Sequence, residues 1–117
     1  MKAATLALWL YPLLGLAMNL LSLAHRRRHG RGLTPVAPWG GIGMMLLYVV
    51  CLGLGQLGHS LAFHLGLLLC LPLIGWGGVL RHLWRVEHQG YAGAGSRLAA
   101  LGINLYGVLV SLWALAQ

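Results

Sequence analysis

Apolar residues fill the chain in long runs, and polar clusters interrupt these runs at only a few places. The first run extends from about Ala3 to Ala24, about 22 residues, which corresponds to about 33 Å of helix. That length crosses a bilayer core and exceeds the apolar region of a signal peptide, about 7–15 residues, so we expect a retained first span. Pro12 frees a backbone carbonyl within it, so we also expect a kink and a partner helix that satisfies this carbonyl.

A second stretch begins at about Trp39 and contains no charged residue before Arg81. Its roughly 40 residues would make about 60 Å of helix, twice the thickness of a bilayer core, so the stretch must fold back on itself. The polar cluster at residues 55–60 predicts a tight outer turn, with Ser60 able to cap the helix that follows. We therefore predict a second and a third span, with Pro72 bending the third.

Residues 93–96, Gly-Ala-Gly-Ser, indicate a flexible connector that ends in a helix cap, and a fourth apolar run follows. The neighbouring glycines and serine separate this run from the basic segment before it. The pattern predicts a single all-α integral membrane domain over residues 1–117, a four-helix bundle with spans at about 3–24, 39–56, 60–80 and 97–115.

Composition supports lipid as the solvent for most of the surface. The chain is 59% hydrophobic and 8% charged, with a mean hydropathy of +0.79. A soluble domain carries about 25% charged residues, so this chain has too few to cover itself in water. We expect a multi-pass protein of a bacterial cytoplasmic membrane.

The basic residues predict the orientation of the bundle. Glu87 is the one acid against eight Lys and Arg. The bases lie at the ends of apolar runs, which favours contact with anionic lipid head groups over binding of nucleic acid. All arginines fall on one side of the predicted topology and only Lys2 on the other, so both basic loops are expected in the cytoplasm and both termini outside. The expected lipid-contacting residues are Arg26, Arg27, Arg28, Arg31, Arg81, Arg85 and Arg97.

The predicted spans lack the groups that several activities need. No Asp, Glu, Lys or Arg lies in the interior of a span. Proton-coupled transporters usually need an ionisable group at that depth, and a hydrolase needs a set of serine, histidine and acid. Cys51 and Cys70 lie within apolar runs without metal-ligand or disulfide spacing, so we interpret them as small buried apolar residues. We predict no enzyme activity and no catalytic residues.

Six histidines are the most suggestive side chains. His25 and His29 would share a helix face if the first helix continues that far, and two further histidines and Glu87 fall on the same side. Neighbouring arginines oppose a cation there, so we predict no metal site. On the outer side, His64 could be an axial ligand of a b-type haem with His59 nearby, although hydrogen-bonded interfacial histidines are the simpler interpretation. No cofactor is predicted; haem b or a quinone is the alternative.

Asn19 and Asn104 form a polar pair at matching depth. Counting about 1.5 Å per residue places both roughly 9–10 Å inside the cytoplasmic ends of the first and fourth spans. Equal depth lets the two amides hydrogen-bond across helices and hold the bundle together, and contact with a substrate or quinone is the alternative.

The high glycine content suggests that another protein packs against the bundle. Eighteen glycines offer more close-packing positions than one four-helix bundle needs, which indicates a further protein against it. We expect a small non-catalytic accessory or stabilising subunit of a larger membrane protein complex. The alternatives are a haem- or quinone-binding electron-transfer subunit and an immunity-type protein that occludes a membrane toxin. The glycines that could serve as packing points are Gly15, Gly40, Gly41, Gly43, Gly53, Gly66, Gly75, Gly78, Gly102 and Gly107.

Overall fold

The protein is all-helical, with four helical segments long and apolar enough to span a membrane among the residues described. The computed structural model describes residues 3–30, 32–33, 38–84 and 94–116. Its helices are α1 (Ala3–His29), α2 (Pro38–Gln56), α3 (Ser60–Ile74), α4 (Arg81–Trp84) and α5 (Ala94–Ala116), and a π-helical segment (Gly75–Leu80) joins α3 to α4 without a break. The segments long and apolar enough to span a membrane are Thr5–His29, Pro38–Gln56, Ser60–Leu80 and Gly95–Ala116. These findings confirm a multi-pass helical membrane protein.

The helices form a ring in which each long helix packs against two neighbours. Helix α1 packs against α2 and α5, and α3 packs against the same two helices. The π-helical segment packs against α5. The molecule measures 44 × 26 × 22 Å, and its long dimension matches the roughly 40–45 Å of a bilayer with its head groups.

Large apolar side chains point away from the bundle, as lipid requires. Leucines such as Leu13, Leu61 and Leu68 are more than half exposed. The centre contains the fully buried Tyr11 and Tyr48 together with apolar side chains such as Leu67, and the buried Ser111 adds a polar group. An apolar exterior around a partly polar interior is the arrangement expected where tails of lipid replace water.

Helix α1 continues past the expected end of the first span and finishes in basic residues. Its last turn contains Arg26, and the carbonyl of this residue accepts a hydrogen bond from the backbone N–H of Gly30 at 2.9 Å. Gly30 adopts φ +81°, a left-handed conformation that glycine tolerates and that ends helices. Beyond it, the N–H of Leu33 donates to Ser22 Oγ at 2.9 Å, so the chain folds back onto α1. Positive side chains at a helix C-terminus also interact favourably with the helix dipole.

A tyrosine of α5 contacts the backbone of α1 near Pro12. Proline removes the hydrogen bond to the carbonyl of Leu8. Tyr106 of α5 donates its hydroxyl to the adjacent carbonyl, that of Ala7. The neighbouring helix thus contacts the backbone one residue before the freed carbonyl, and a partner for the Leu8 carbonyl itself stays a prediction.

The turn between α2 and α3 lies within the predicted polar cluster. Gly58 adopts φ +91°, and the N–H of His59 donates to the carbonyl of Leu54 at 2.9 Å. Ser60 is the first residue of α3, and His59 in the cap position forms no side-chain cap. The expected serine cap is wrong, because the helix begins one residue earlier than such a cap requires.

The helix changes type shortly after Pro72, where the sequence predicts a bend. Two residues after Pro72 the α-helix ends, and the N–H of Gly75 is shared between the carbonyls of Leu71 and Pro72. The following six residues are π-helical and include Gly77 and Gly78. Wide turns of this kind are rare and often occur at functional sites.

Candidate functional site: a polar cavity within the bundle

A cavity of about 320 Å³ lies between the helices near the end that carries the arginines. Every membrane-spanning segment contributes to its wall, together with α4. Methionine, leucine, isoleucine and glycine form most of the surface. The polar side chains in the wall are Tyr11, Asn19, His82 and Asn104.

Tyr11 and Asn104 connect α1 to α5 across this cavity. The tyrosine hydroxyl donates to Asn104 Oδ1 at 3.1 Å, and Asn104 Nδ2 donates to the carbonyl of Ala100 at 2.7 Å. The amide of Asn104 therefore accepts a hydrogen bond from α1 and donates one to the backbone of its own helix, α5. Glycine provides the space, because a Cβ at Gly78 would overlap the side chain of Asn104.

Asn19 enters the cavity from α1 in a similar way. Its Nδ2 donates to the carbonyl of Gly15 at 2.7 Å, and a Cβ at Gly41 of α2 would overlap its amide. Asn19 and Asn104 thus converge on one cavity from neighbouring helices. The hydrogen bonds that the described residues make to these amides run to other groups, so a direct bond between them is not part of this structure.

His82 lies at the basic end of the cavity and is 3% exposed. Arg97 of α5 holds this end: its Nε donates to the carbonyl of His82 at 3.1 Å and an Nη atom to that of Leu83 at 3.0 Å. The sequence predicts His82 on the cytoplasmic side and Arg97 against lipid head groups, and it gives no signal for either of these contacts.

Tyr11 is a site residue that the sequence interpretation overlooked. Its number differs from those of Gly15 and Asn19 by four and eight, which places all three on one face of α1. That spacing was the available signal. Gly78 lies four residues before His82, a spacing that also suggests a shared face. The π-helix that contains Gly78 was not predicted, so this spacing could not be used.

Of the two outer histidines, only His64 lines a second cavity. This cavity of about 380 Å³ is lined by His64, Trp9 and Gln56 among others, and His59 does not line it. His64 Nδ1 lies 2.7 Å from the carbonyl of Ser60, which can only accept, so this nitrogen carries the proton and Nε2 is left as the acceptor. One histidine whose Nε2 can accept could ligate a haem iron, but no second histidine among the described residues lines this cavity, and the haem alternative stays a prediction.

The remaining expected residues are distributed over the basic end. His25 and His29 share a helix face as predicted, with ring centroids 4.4 Å apart. No three His, Cys, Asp or Glu side chains cluster within the part of the chain that is described. The exposed arginines of α1 are Arg26, Arg27 and Arg28. Outside the described residues or side chains lie Arg31, Arg81, Arg85, Glu87 and His88.

Chemically, the first cavity can hydrogen-bond a neutral polar group. Its described wall contains two carboxamides, a phenol and an imidazole, and no carboxylate, ammonium or guanidinium group. A charged ligand would find no opposite charge there. Comparison with known proteins adds no assignment: no protein-family model, no curated protein and no solved structure matches the chain.

Proposed function

We propose that the protein is a small non-catalytic subunit of a bacterial cytoplasmic membrane, which packs against a larger integral membrane protein and stabilises it. The single observation that supports this role is the distribution of glycine. Within the bundle, a Cβ at Gly66 or Gly107 would meet the side chain of Cys51 or Tyr11. On the outside, a Cβ at Gly43 or Gly102 would meet nothing within 4 Å.

These outer glycines leave two shallow faces uncovered. Gly43 is exposed on α2 and Gly102 on α5. The two helices do not pack against each other within the described structure, so the faces lie on different sides of the ring. Small residues let a second helix approach closely, which is the main source of helix association in lipid. A larger partner helix is the occupant that such faces fit.

Charge supports the orientation proposed for this subunit. Arg97 at the start of α5 contacts the end of α4, and Arg26 lies in the last turn of α1 near the same end of the bundle. Positive residues concentrate on the cytoplasmic side of membrane proteins. We therefore propose that this end faces the cytoplasm and meets anionic lipid, with both termini outside.

Co-purification with glycine variants tests the subunit role. We expect the chain, extracted from its native membrane in a mild detergent, to elute with larger chains in fixed stoichiometry. Gly43→Leu and Gly102→Leu should release it from them, since a leucine blocks close approach of a helix. The matched control is Ala62→Leu, which adds bulk to an exposed position of α3. Elution of the native protein alone, or equal retention of all variants, would exclude the proposal.

A further inference from the structure

The cavity reaches the surface of the bundle at the start of α2, where the exposed Gly40 lines it. The π-helical segment packs against α5 and α4 but not against α2, so the first turns of α2 and this segment are separated on one side of the cavity. Gly40 and Gly77 line the cavity on the two sides of that gap, and a Cβ at either would meet no atom within 4 Å. Gly40 is exposed. A molecule dissolved in the membrane could therefore reach the cavity laterally.

The inner wall offers hydrogen-bond donors that the protein does not use. An amide nitrogen carries two hydrogens. Asn19 Nδ2 gives one to Gly15 and Asn104 Nδ2 gives one to Ala100, and the described residues engage neither second hydrogen. The hydrogen of the Tyr11 hydroxyl is already directed to Asn104. Two N–H groups on neighbouring helices thus remain for an acceptor oxygen, and an unmade hydrogen bond at this depth is costly.

The apolar part of the wall favours a flat unsaturated ring. Met18, Met44 and Met45 line the cavity. Methionine side chains are flexible and polarisable, and their sulfur atoms pack well against ring systems. The volume of about 320 Å³ lies at the lower end of the range for small-molecule sites, about 300–1,000 Å³, which suits a ring head group whose tail stays in lipid.

We infer that this cavity binds the head group of a neutral, lipid-soluble quinone, with ring carbonyl oxygens accepting from Asn19 and Asn104 and the tail leaving between Gly40 and Gly77. The ligand is neutral because the described wall holds no charged partner for an ionic head. It carries carbonyl oxygens because the unused groups of the two amides are donors. The inference concerns binding only and does not depend on the subunit role.

Titration with a defined probe tests this inference. The full-length protein, with any chains that co-purify, is placed in nanodiscs and titrated with decylubiquinone while tryptophan fluorescence is recorded. Trp39 and Trp76 adjoin the two glycines at the opening and are more than half exposed, so a bound ring would quench them. We expect quenching that saturates, whereas simple partitioning into the disc gives a response that does not.

Variants distinguish binding in the cavity from partitioning of the quinone into the bilayer. Gly77→Leu fills the opening and should raise the half-saturating concentration about tenfold or more, while Asn19→Leu removes one donor and should raise it about three- to tenfold. The control is Gly53→Leu, because Gly53 also has open space around its Cβ position but does not line the cavity. If Gly77→Leu proves unfolded by circular dichroism, Asn19→Leu still decides the result. Palmitate, whose head is anionic, should not compete.

Quenching that does not saturate, or equal curves for the native protein and both cavity variants, would overturn the inference. Recovery of the quenched tryptophan fluorescence when palmitate is added at concentrations comparable to those of decylubiquinone would overturn the neutral-head requirement and with it the assignment to quinones.

Discussion

The hydroxyl of Tyr48 lies 2.7 Å from Ser111 Oγ in the buried centre of the bundle. This hydrogen bond joins α2 to α5, two helices that do not otherwise pack against each other in the described structure. The ring of Tyr48 also meets that of Tyr11 edge to face, with centroids 4.9 Å apart. A polar contact across the ring of helices therefore holds its two diagonal members at a fixed separation.

Removal of this contact should destabilise the bundle. We expect Tyr48→Phe and Ser111→Ala each to lower the free energy of unfolding by about 0.5–2 kcal/mol, the usual value of such a bond in proteins and membranes. Reversible unfolding in mixed detergent micelles measures the change. Because both substitutions delete the same bond, the double variant should lose less than the sum of the two singles. Leu112→Val, on the exposed side of α5, is the control.

The close approach of α1 and α5 at Gly107 gives a second prediction. A Cβ there would overlap the ring of Tyr11, which is fully buried and cannot move aside. We expect Gly107→Ala to cost about 1–3 kcal/mol, as overpacking of a core does. Gly102→Ala, one and a half turns earlier on the same helix and without near neighbours, should leave the stability of the isolated protein unchanged. Equal effects of the two substitutions would contradict the packing described for this interface.

Arg97 gives a third prediction through its contacts with the end of α4. Arg97→Met keeps much of the side-chain length but removes both donors to the carbonyls of His82 and Leu83. We expect backbone amides of residues 81–84 to exchange with deuterium several-fold faster, because these two hydrogen bonds tie α4 to α5. Arg97→Lys should be intermediate, since a lysine cannot present two donors in a fixed plane. Arg27→Met, at an exposed site, is the control.

A fourth prediction concerns orientation. A phosphatase that is active only outside the cytoplasm should work when fused after Gln117, and a fluorescent protein that folds only in the cytoplasm should not. The reverse pattern is expected for fusions placed after Gly90, within the second basic segment. Cytoplasmic activity of the fusion after Gln117 would reverse the proposed topology.

The spans could be predicted because a run of apolar residues along the chain is enough to indicate each of them. A bilayer needs about 20 apolar residues in a row, and the runs around Pro12 and Pro72 are that long whatever the neighbouring helices do. Depth also follows from counting, which is why Asn19 and Asn104 could be placed at one level, and both line the same cavity.

Contacts between helices could not be predicted in this way. Tyr11 meets Asn104 only because α1 and α5 are neighbours with particular rotations, and neither property is written in a run of apolar residues. Arg97 shows the same limit: a basic residue at a span end satisfies the positive-inside pattern whether it meets lipid or, as here, carbonyls of another helix. The π-helix was missed because Pro72 and glycines signal a bend without specifying its hydrogen-bond pattern.

That wide turn has a geometric consequence for everything beyond it. Each residue of an α-helix advances about 100° around the axis, and a π turn with its i to i+5 hydrogen bonds accommodates about one residue more than an α turn. The segment Gly75–Leu80 therefore resets the angular phase of α4 against α3. If the same residues closed as ordinary α-helix, His82 would rotate by about 100° away from the cavity, whereas deletion of one residue would leave its direction nearly unchanged. The hydrogen-bond pattern of this one turn thus decides which direction the imidazole faces.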